Sequence, residues 1–327
     1  MILVTGGAGY IGSHVARDLL DKGYSVAVID NLSTGHLQAV DPRATFIFGD
    51  IGDEQLLDQV FSVFSIRAVM HFSSSCLVGE SVHSPMKYYQ NNVEKTIRLL
   101  KKMLEHKINR LVFSSTCATY GIPSVPIITE EQPLQPINPY GRSKLMIEKI
   151  IKDLSQSNGL NYIALRYFNV GGAHLSAEIG EDHQPETHII PSVLQHLQGK
   201  TKEVFIFGKN YPTPDGTCIR DYIHVSDLSH AHILALEYLL EYQPVSETFN
   251  LGNEIGYSVL DIIKMCERVS NRQAKVEVLE NRPGDPPLLV ASSEKIKKAL
   301  GWKPAYNLEQ IIRTAWNWHE KHPNGFS

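Results

Sequence analysis

The stretch Gly6-Gly7-Ala8-Gly9-Tyr10-Ile11-Gly12 stands between a short apolar run and an amphipathic segment, and it decides how the first half of the chain folds. Its glycines permit a tight turn and let the backbone come close to a pyrophosphate. The N-terminus of the following helix offers free N–H groups and a positive dipole end to the same anion. The stretch therefore predicts a dinucleotide-binding turn between a first strand and a first helix.

An acidic residue follows the second predicted strand. Asp30 lies about 20 residues after the last glycine of the turn, where a carboxylate accepts hydrogen bonds from ribose hydroxyls. The next residues, Asn31-Leu32-Ser33-Thr34, include no arginine that would attract a 2′-phosphate. The pattern favours NAD over NADP. Asp50, after the third strand, is interpreted either as an adenine contact or as the N-cap of the next helix.

Short β-branched runs alternate with helical patterns through the first half of the chain, which predicts an α/β fold with a Rossmann-type doubly wound parallel sheet. The predicted strands are Ile2–Thr5, Ser25–Ile29, Thr45–Phe48, Ala68–Phe72, Arg110–Ser114 and Tyr162–Arg166. The predicted helices are Ile11–Lys22, Asp53–Phe64, Tyr88–His106, Tyr140–Ser157, Ile190–Gln198, Val225–Glu241 and Val259–Ser270. After Gly171 the regular alternation of strand and helix patterns ends. We expect an NAD-binding domain at residues 1–170, to which the chain returns near 219–240, and a smaller α/β substrate-binding domain at 171–327.

The composition is that of a globular protein. The 327 residues include 43% hydrophobic and 20% charged residues, with a net charge of −4. This mild acidity argues against nucleic-acid binding, and no apolar run is long enough to span a membrane. The four cysteines are widely spaced, so we interpret them as reduced interior residues and expect no metal site. A cytoplasmic protein is expected.

A tyrosine and a lysine four residues apart begin a predicted helix. Tyr140 and Lys144 share one helix face, and Thr116 ends the strand before them. Free tyrosine has a pKa of about 10, so a base at neutral pH needs a neighbouring ammonium and a positively charged nicotinamide in a dry site. The three residues predict the oxidation of an alcohol beside a nicotinamide, with Tyr140 as the base.

These motifs together resemble the extended short-chain dehydrogenase/reductase superfamily and, within it, the family of UDP-glucose 4-epimerases. The segments that carry this resemblance are Thr5–His14, Asp30–Ser33, Val78–Ser81, Asn138–Lys144, Arg166–Asn169, Asp215–Val225 and Arg282–Asp285. The resemblance implies an isomerase of galactose metabolism that interconverts UDP-glucose and UDP-galactose. It also implies retained NAD, transient oxidation at carbon 4 of the sugar, and a homodimer.

The same resemblance implies the residues of two binding sites. Those that would line the NAD site are Gly6, Gly9, Tyr10, Ile11, Asp30, Asn31, Asp50, Ile51, Phe72, Asn91, Ser114, Tyr140, Lys144 and Tyr167. Those that would hold the nucleotide sugar are Thr116, Tyr140, Phe168, Asn169, His188, Arg220, Tyr222, Arg282, Asp285 and Leu289.

Three positions depart from the family pattern. Cys76 replaces a lysine that many members place near the nicotinamide. His188 stands where some members have an asparagine on the substrate phosphates, so binding is expected to vary between about pH 6 and 7. Leu289 is intermediate between the bulky and small residues that members carry beside the sugar 2-substituent. We therefore hypothesise turnover of UDP-GlcNAc and UDP-GalNAc as well.

Two alternatives and one open assignment remain at this stage. The nearest rival is another NAD-retaining nucleotide-sugar enzyme, a 4,6-dehydratase or a decarboxylase, although Thr116-Cys117-Ala118-Thr119 offers no acidic partner. The other is a non-catalytic NAD-sensing protein. The apolar stripe Ile97, Leu100 and Leu104 is explained equally well by a dimer seam and by core packing.

Overall fold

A computed structural model describes residues 1–281 and 285–326 of the chain. Its strands are β1 Ile2–Thr5, β2 Val26–Asp30, β3 Thr45–Phe48, β4 Ala68–His71, β5 Arg110–Thr116, β6 Ile127–Ile128, β7 Asn161–Tyr167, β8 Asn169–Gly171, β9 Val204–Phe207, β10 Ile219–His224, β11 Ser246–Leu251, β12 Gly256–Ser258, β13 Val276–Leu279 and β14 Leu288–Ala291. Its α-helices are α1 Tyr10–Asp21, α2 Glu54–Val63, α3 Val78–His83, α4 Pro85–Tyr88, α5 Lys95–Glu105, α6 Pro139–Asn158, α7 Ile189–Leu197, α8 Val225–Glu241, α9 Val259–Ser270, α10 Glu294–Leu300 and α11 Leu308–Lys321. A π-helical segment, Tyr89–Glu94, leads into α5.

A parallel sheet of seven strands forms the centre of the fold, in the order β11-β7-β5-β4-β1-β2-β3. Alternate residues of its strands enter two separate cores. Ile2 and Val4 of β1 pack with α1 and α8, whereas Leu3 packs with α2, α5 and α6 on the other face. Both faces are covered, so the inner strands are apolar over most of their length rather than alternating. This is the doubly wound Rossmann arrangement that the sequence predicts.

All six predicted strands are present in this sheet, with ends that differ by one or two residues. The seventh strand, β11, was not predicted. It pairs with β7 in the register Ser246↔Tyr162 to Leu251↔Tyr167. Its N-terminal half is polar and more exposed because it lies at the sheet edge, so its sequence lacks the long apolar run of the central strands.

A smaller layer beside the carboxyl end of the large sheet is built mostly by the second half of the chain, and β6 joins it from the first half. Its strands pair in the order β12-β10-β14-β6, with β8 joined to β10, and β9 pairs separately with β13. A third core, made largely by α7, α9 and α11, lies beneath them. Helix α8 packs against the large sheet, and β11 is one of the strands of that sheet. Strand β10 instead pairs within the smaller layer. The boundaries of the two domains stay a prediction.

Two further expectations meet the structure here. All four cysteines are free thiols, but Cys76 is exposed, so its interpretation as an interior residue is wrong. Among the helices of residues 1–281 and 285–326, none has the length and apolar character needed to cross a membrane.

Candidate active site

The predicted cofactor residues come together because parallel strands end at the same edge of their sheet. Thr5, the last residue of β1, lies between Ile29 of β2 and His71 of β4. Farther along the same edge, Thr116 of β5 pairs with Tyr167 of β7. Ligands of open α/β sheets bind outside this carboxyl edge, so the observed topology fits a dinucleotide there.

The glycine turn leaves no space for side chains at its key positions. Gly6 has a φ of +72°, a conformation that residues with a Cβ rarely adopt. A Cβ on Gly12 would lie 2.2 Å from the carbonyl oxygen of Gly6. Gly9 precedes α1 without any side-chain cap, so the first N–H groups of that helix point into the turn. The turn therefore fits a pyrophosphate.

Asp30 lies at the end of β2 and holds the turn in place. Its Oδ2 accepts a hydrogen bond from the Ala8 N–H at 3.0 Å, and its Oδ1 accepts one from Leu32 N–H at 2.8 Å. Burial raises the pKa of this carboxyl, and the two N–H groups oppose that rise. Each carboxylate oxygen has a second lone pair, so Asp30 keeps acceptor capacity for ribose hydroxyls.

Asp50 is held by three neighbours. Its carboxylate accepts hydrogen bonds from Lys95 Nζ at 2.6 Å, Asn31 Nδ2 at 2.8 Å and the Gly52 N–H at 2.8 Å. It does not cap α2, because Asp53 accepts the hydrogen bonds at that position. The capping interpretation of Asp50 is wrong, and the adenine contact stays a prediction. Ile51 is only 5% exposed and packs into the core beneath the sheet.

Three of the remaining cofactor candidates surround a residue that sequence analysis missed. His232 of α8 lies between the rings of Phe72 and Tyr167, at centroid distances of 4.8 and 6.2 Å. Its Nδ1 donates to the Leu228 carbonyl, so Nε2 accepts from the Ser114 hydroxyl at 2.9 Å. Burial lowers the pKa of His232 to about 4, so the ring is neutral. It is the eighth residue of a largely buried helix, and this position gave no sequence signal.

The other cofactor candidates lie on the helices that flank the edge. The Tyr10 hydroxyl donates to the carbonyl of Gly172 at 2.6 Å, which ties α1 to the end of β8. Ile11 packs partly against the first core. Asn91, in the π-helical segment, donates from Nδ2 to the Ser75 hydroxyl at 3.1 Å.

Tyr140, Lys144 and Thr116 meet at the end of β5. Helix α6 begins at Pro139, with Asn138 accepting a hydrogen bond from the Gly141 N–H as the N-cap. Lys144 is 2% exposed, and its Nζ donates to the Ser114 carbonyl at 2.8 Å, one turn of helix from Tyr140. The structure thus brings the three predicted catalytic side chains into one dry site.

The electrostatics of this site depend on burial. Burial raises the pKa of Tyr140, and a hydrogen bond with the Thr116 side chain opposes the rise. Burial also lowers the pKa of Lys144 to about 8, so at neutral pH this amine is still mostly an ammonium. A phenolate at Tyr140 therefore needs additional positive charge close by, as a nicotinamide cation would provide.

Beneath the site lies a buried ion pair that sequence analysis did not assign. Glu148 of α6 accepts from Arg166 Nε at 3.0 Å and from its Nη2 at 2.5 Å, and it also accepts from the Ser115 hydroxyl. Arg166 Nη1 donates to the Tyr120 hydroxyl at 2.9 Å. This network fixes α6 against β5 and β7. A charged residue inside the apolar run of β7 was the available signal.

The predicted substrate residues lie across the edge, on the smaller layer. The Arg220 guanidinium pairs with the Asp285 carboxylate, and Leu289 of β14 is the register partner of Arg220 in β10. Tyr222 and Asn169 are register partners as well. Phe168 packs in one cluster with Leu289. Arg282 lies outside the described residues.

His188 is the N-cap residue of α7, and its Nδ1 lies 2.6 Å from Glu181 Oε1. Burial lowers its pKa, but the charge and hydrogen bond of Glu181 together with the charge of Glu186 outweigh burial and raise the pKa overall. The two carboxylates therefore move the protonation of this residue toward higher pH, and the pH dependence of binding stays a prediction. Glu181, His183 and Glu186 surround it. Sequence analysis missed these three, although five Asp, Glu and His side chains among residues 181–188 were a visible signal.

The chain is similar to known proteins over its whole length. It is 52% identical over 327 residues to the UDP-glucose 4-epimerase of Halalkalibacterium halodurans, covering 100% of this chain and 97% of the relative. A family profile described as GDP-mannose 4,6 dehydratase matches residues 3–315. The chain belongs to the UDP-glucose 4-epimerase family.

Solved structures of this family share its fold. The UDP-glucose 4-epimerase of Brucella ovis in complex with NAD superimposes with a TM-score of 0.93 at 46% identity, covering 96% of this chain and 97% of the other. The epimerase of Bifidobacterium longum in complex with NAD⁺ and UDP gives 0.95 at 38% identity, covering 99% of each chain. The expected family, fold and enzyme class are confirmed. The roles of individual site residues stay predictions.

Proposed function

We propose that this enzyme interconverts UDP-glucose and UDP-galactose reversibly, through transient oxidation at carbon 4 of the sugar with NAD retained in the site. One observation carries this proposal. Tyr140, Thr116 and Lys144 lie together at the carboxyl end of β5, and the 2.8 Å hydrogen bond from Lys144 Nζ to the Ser114 carbonyl fixes the lysine there.

The chain has a complete set of residues for NAD. The glycine turn and the uncapped N-terminus of α1 hold the pyrophosphate, and Asp30 accepts from ribose hydroxyls. When bound, NAD supplies the acceptor for the hydride at carbon 4 and its later donor. A 2′-phosphate would be repelled by Asp30, because that carboxylate is fixed by Ala8 and Leu32 and cannot turn away.

Tyr140 takes the proton of the sugar 4-hydroxyl and later returns it. Thr116 orients that hydroxyl and the phenol, and the Lys144 ammonium stabilises the phenolate. Burial excludes water from all three side chains, which strengthens each of these interactions.

Arg220 and Asp285 hold the nucleotide end of the substrate. Arg220 is a bidentate donor suited to a diphosphate, and its pairing with Asp285 keeps the guanidinium in place beside Leu289. The proposed substrate site is completed by Phe168, Asn169, His188, Tyr222, Arg282 and Leu289.

A 4,6-dehydratase remains the second candidate, because the matching family profile carries that description. Dehydratases resemble this chain but place an acidic pair beside the hydroxyl-bearing residue. Here Cys117 and Ala118 follow Thr116, and Glu148 is committed to the Arg166 ion pair. This arrangement favours epimerisation.

The purified chain, mixed with UDP-galactose and no added NAD, is expected to form UDP-glucose to an equilibrium mixture, measured by NMR. Tyr140→Phe is expected to lower turnover about 10²- to 10⁴-fold while it retains NAD, because only the proton transfer is lost. Tyr242→Phe, at an exposed tyrosine, is the matched control. Wild-type inactivity with and without added NAD would reject the proposal. A Tyr140→Phe variant as active as the control would reject the role of Tyr140.

We propose further that the enzyme is a cytoplasmic homodimer. Val82, Met86, Ile97 and Met146 are apolar and between 44% and 63% exposed on mutually packed helices. Leu100 is 1% exposed and belongs to the core, whereas Ile97 of the same apolar stripe is exposed and available to a dimer seam. Light scattering that gives the mass of one chain in solution would contradict the dimer.

A further inference from the structure

The segment that leads into α7 carries a compact cluster of four side chains. Glu181, His183, Glu186 and His188 each present one ligand-type atom, and these atoms all lie within 4.8 Å of one another. Imidazole nitrogen and carboxylate oxygen are both ordinary ligands of Zn²⁺.

The separations of these atoms, from 2.6 Å to at most 4.8 Å, lie on both sides of the value for a tetrahedral site. Bonds of about 2.0–2.1 Å place tetrahedral ligand atoms about 3.4 Å apart. Glu181 Oε1 lies 3.3 Å from His183 Nδ1 and 2.6 Å from His188 Nδ1. Glu186 lies 3.7 Å from His183 Nδ1 through Oε2, and 3.6 Å from His188 Nδ1 through Oε1.

A second observation points to a ligand at this place. The Glu186 side chain is only 5% exposed, yet its Oε2 makes no hydrogen bond of good geometry to any described residue. The Nδ1 of His183 is also buried without a hydrogen bond within the described part of the chain. Buried polar atoms are nearly always hydrogen-bonded, whereas these two have only ion-pair contacts of 3.3 and 3.7 Å within the cluster, so a ligand shared by both fits this place.

We propose that Glu181, His183, Glu186 and His188 bind one Zn²⁺ ion. The ion replaces the missing partners of His183 Nδ1 and Glu186 Oε2 and neutralises the two carboxylates. Four protein ligands leave no open position, which is typical of structural rather than catalytic zinc. A cavity of about 450 Å³, lined in part by Glu181, His183 and Glu186, gives the ion a path from solvent.

The site is placed where it can order the active-site edge. His183 packs edge-on against Tyr10 of the glycine turn, with ring centroids 6.5 Å apart. His188 begins α7. A bound ion therefore ties the residues before α7 to one position beside the turn. We expect the bound ion to act mainly by raising the thermal stability of the enzyme.

Zinc content of the tag-free enzyme tests the proposal. After dialysis against Zn²⁺ and then metal-free buffer, we expect about one ion per chain by mass spectrometry. His183→Gln is expected to lose the ion, whereas His230→Gln, at an exposed histidine of α8, is expected to keep it. Wild-type protein without zinc, or equal zinc in wild type and His183→Gln, would overturn the site.

Two measurements on the unmodified enzyme keep the test decisive if the variant does not fold. A chelator is expected to lower the melting temperature of the wild type, and added Zn²⁺ to restore it. Cobalt in place of zinc is expected to give the visible absorption of a tetrahedral site. An unchanged melting temperature together with no such absorption overturns the proposal.

Discussion

The cofactor edge and the substrate layer are built in opposite ways. At the cofactor edge, Asp30 bonds to residues only two and 22 positions away, and the contacts are made by the backbone. On the substrate layer, Arg220 reaches Asp285 across 65 positions, through side chains only. The residues of a site that is built from backbone contacts and short sequence spacings can be predicted from the sequence. A site made from distant side chains depends on strand register.

The largest effect is expected at the glycine turn. Gly12→Ala places a Cβ 2.2 Å from the Gly6 carbonyl oxygen. The contacting atoms belong to the backbone of Gly6 and Gly7, which cannot move aside as a flexible side chain can. We expect loss of retained NAD, measured by absorbance of the denatured protein's supernatant, and a loss of about 2–4 kcal/mol in the free energy of unfolding.

Gly79→Ala is the matched control, because its Cβ meets no atom within 4 Å. A Gly12→Ala variant that keeps its NAD would show that the close backbone approach is not what builds the cofactor edge.

The next effect is expected at the buried ion pair that fixes α6 against β5 and β7. Glu148→Gln leaves the Arg166 guanidinium buried without its counter-charge, which costs about 3 kcal/mol in unfolding free energy. Urea unfolding measures this change. Glu105→Gln, at an exposed carboxylate paired with Lys102, is expected to cost less than about 1 kcal/mol. Equal losses in the two variants would contradict the importance of burial.

The smallest effect is expected on the substrate layer. Leu289 is the register partner of Arg220, and a larger side chain there is expected to narrow the space that we propose for the sugar. Leu289→Tyr is expected to lower kcat/KM for UDP-GlcNAc about tenfold relative to UDP-glucose.

Ile122→Tyr, at an exposed position, serves as the control for this change. Comparable turnover of UDP-GlcNAc in Leu289→Tyr and wild type, or none in wild type, would remove the hypothesis of N-acetylhexosamine activity.

The same contrast explains which expectations met the structure. The six predicted strands of the large sheet followed from apolar runs, and the placing of Tyr140 and Lys144 on one face followed from helix spacing. Strand β11 was not predicted, because its N-terminal half lies at the sheet edge and is polar. The cap of α2 was Asp53 rather than Asp50, a choice between carboxylates three residues apart that only backbone geometry settles.

The sequence by itself determined the doubly wound sheet, the glycine turn with Asp30 and the helix face that carries Tyr140. These depend on periodicities and on backbone conformations that only glycine adopts easily. Tertiary structure alone decided that His232 supports Ser114, that Glu148 neutralises Arg166, and that Arg220 stands beside Asp285 and Leu289. Those contacts join residues far apart in the chain, and their partners are selected by packing and by the cost of burying an unpaired charge, which no local pattern records.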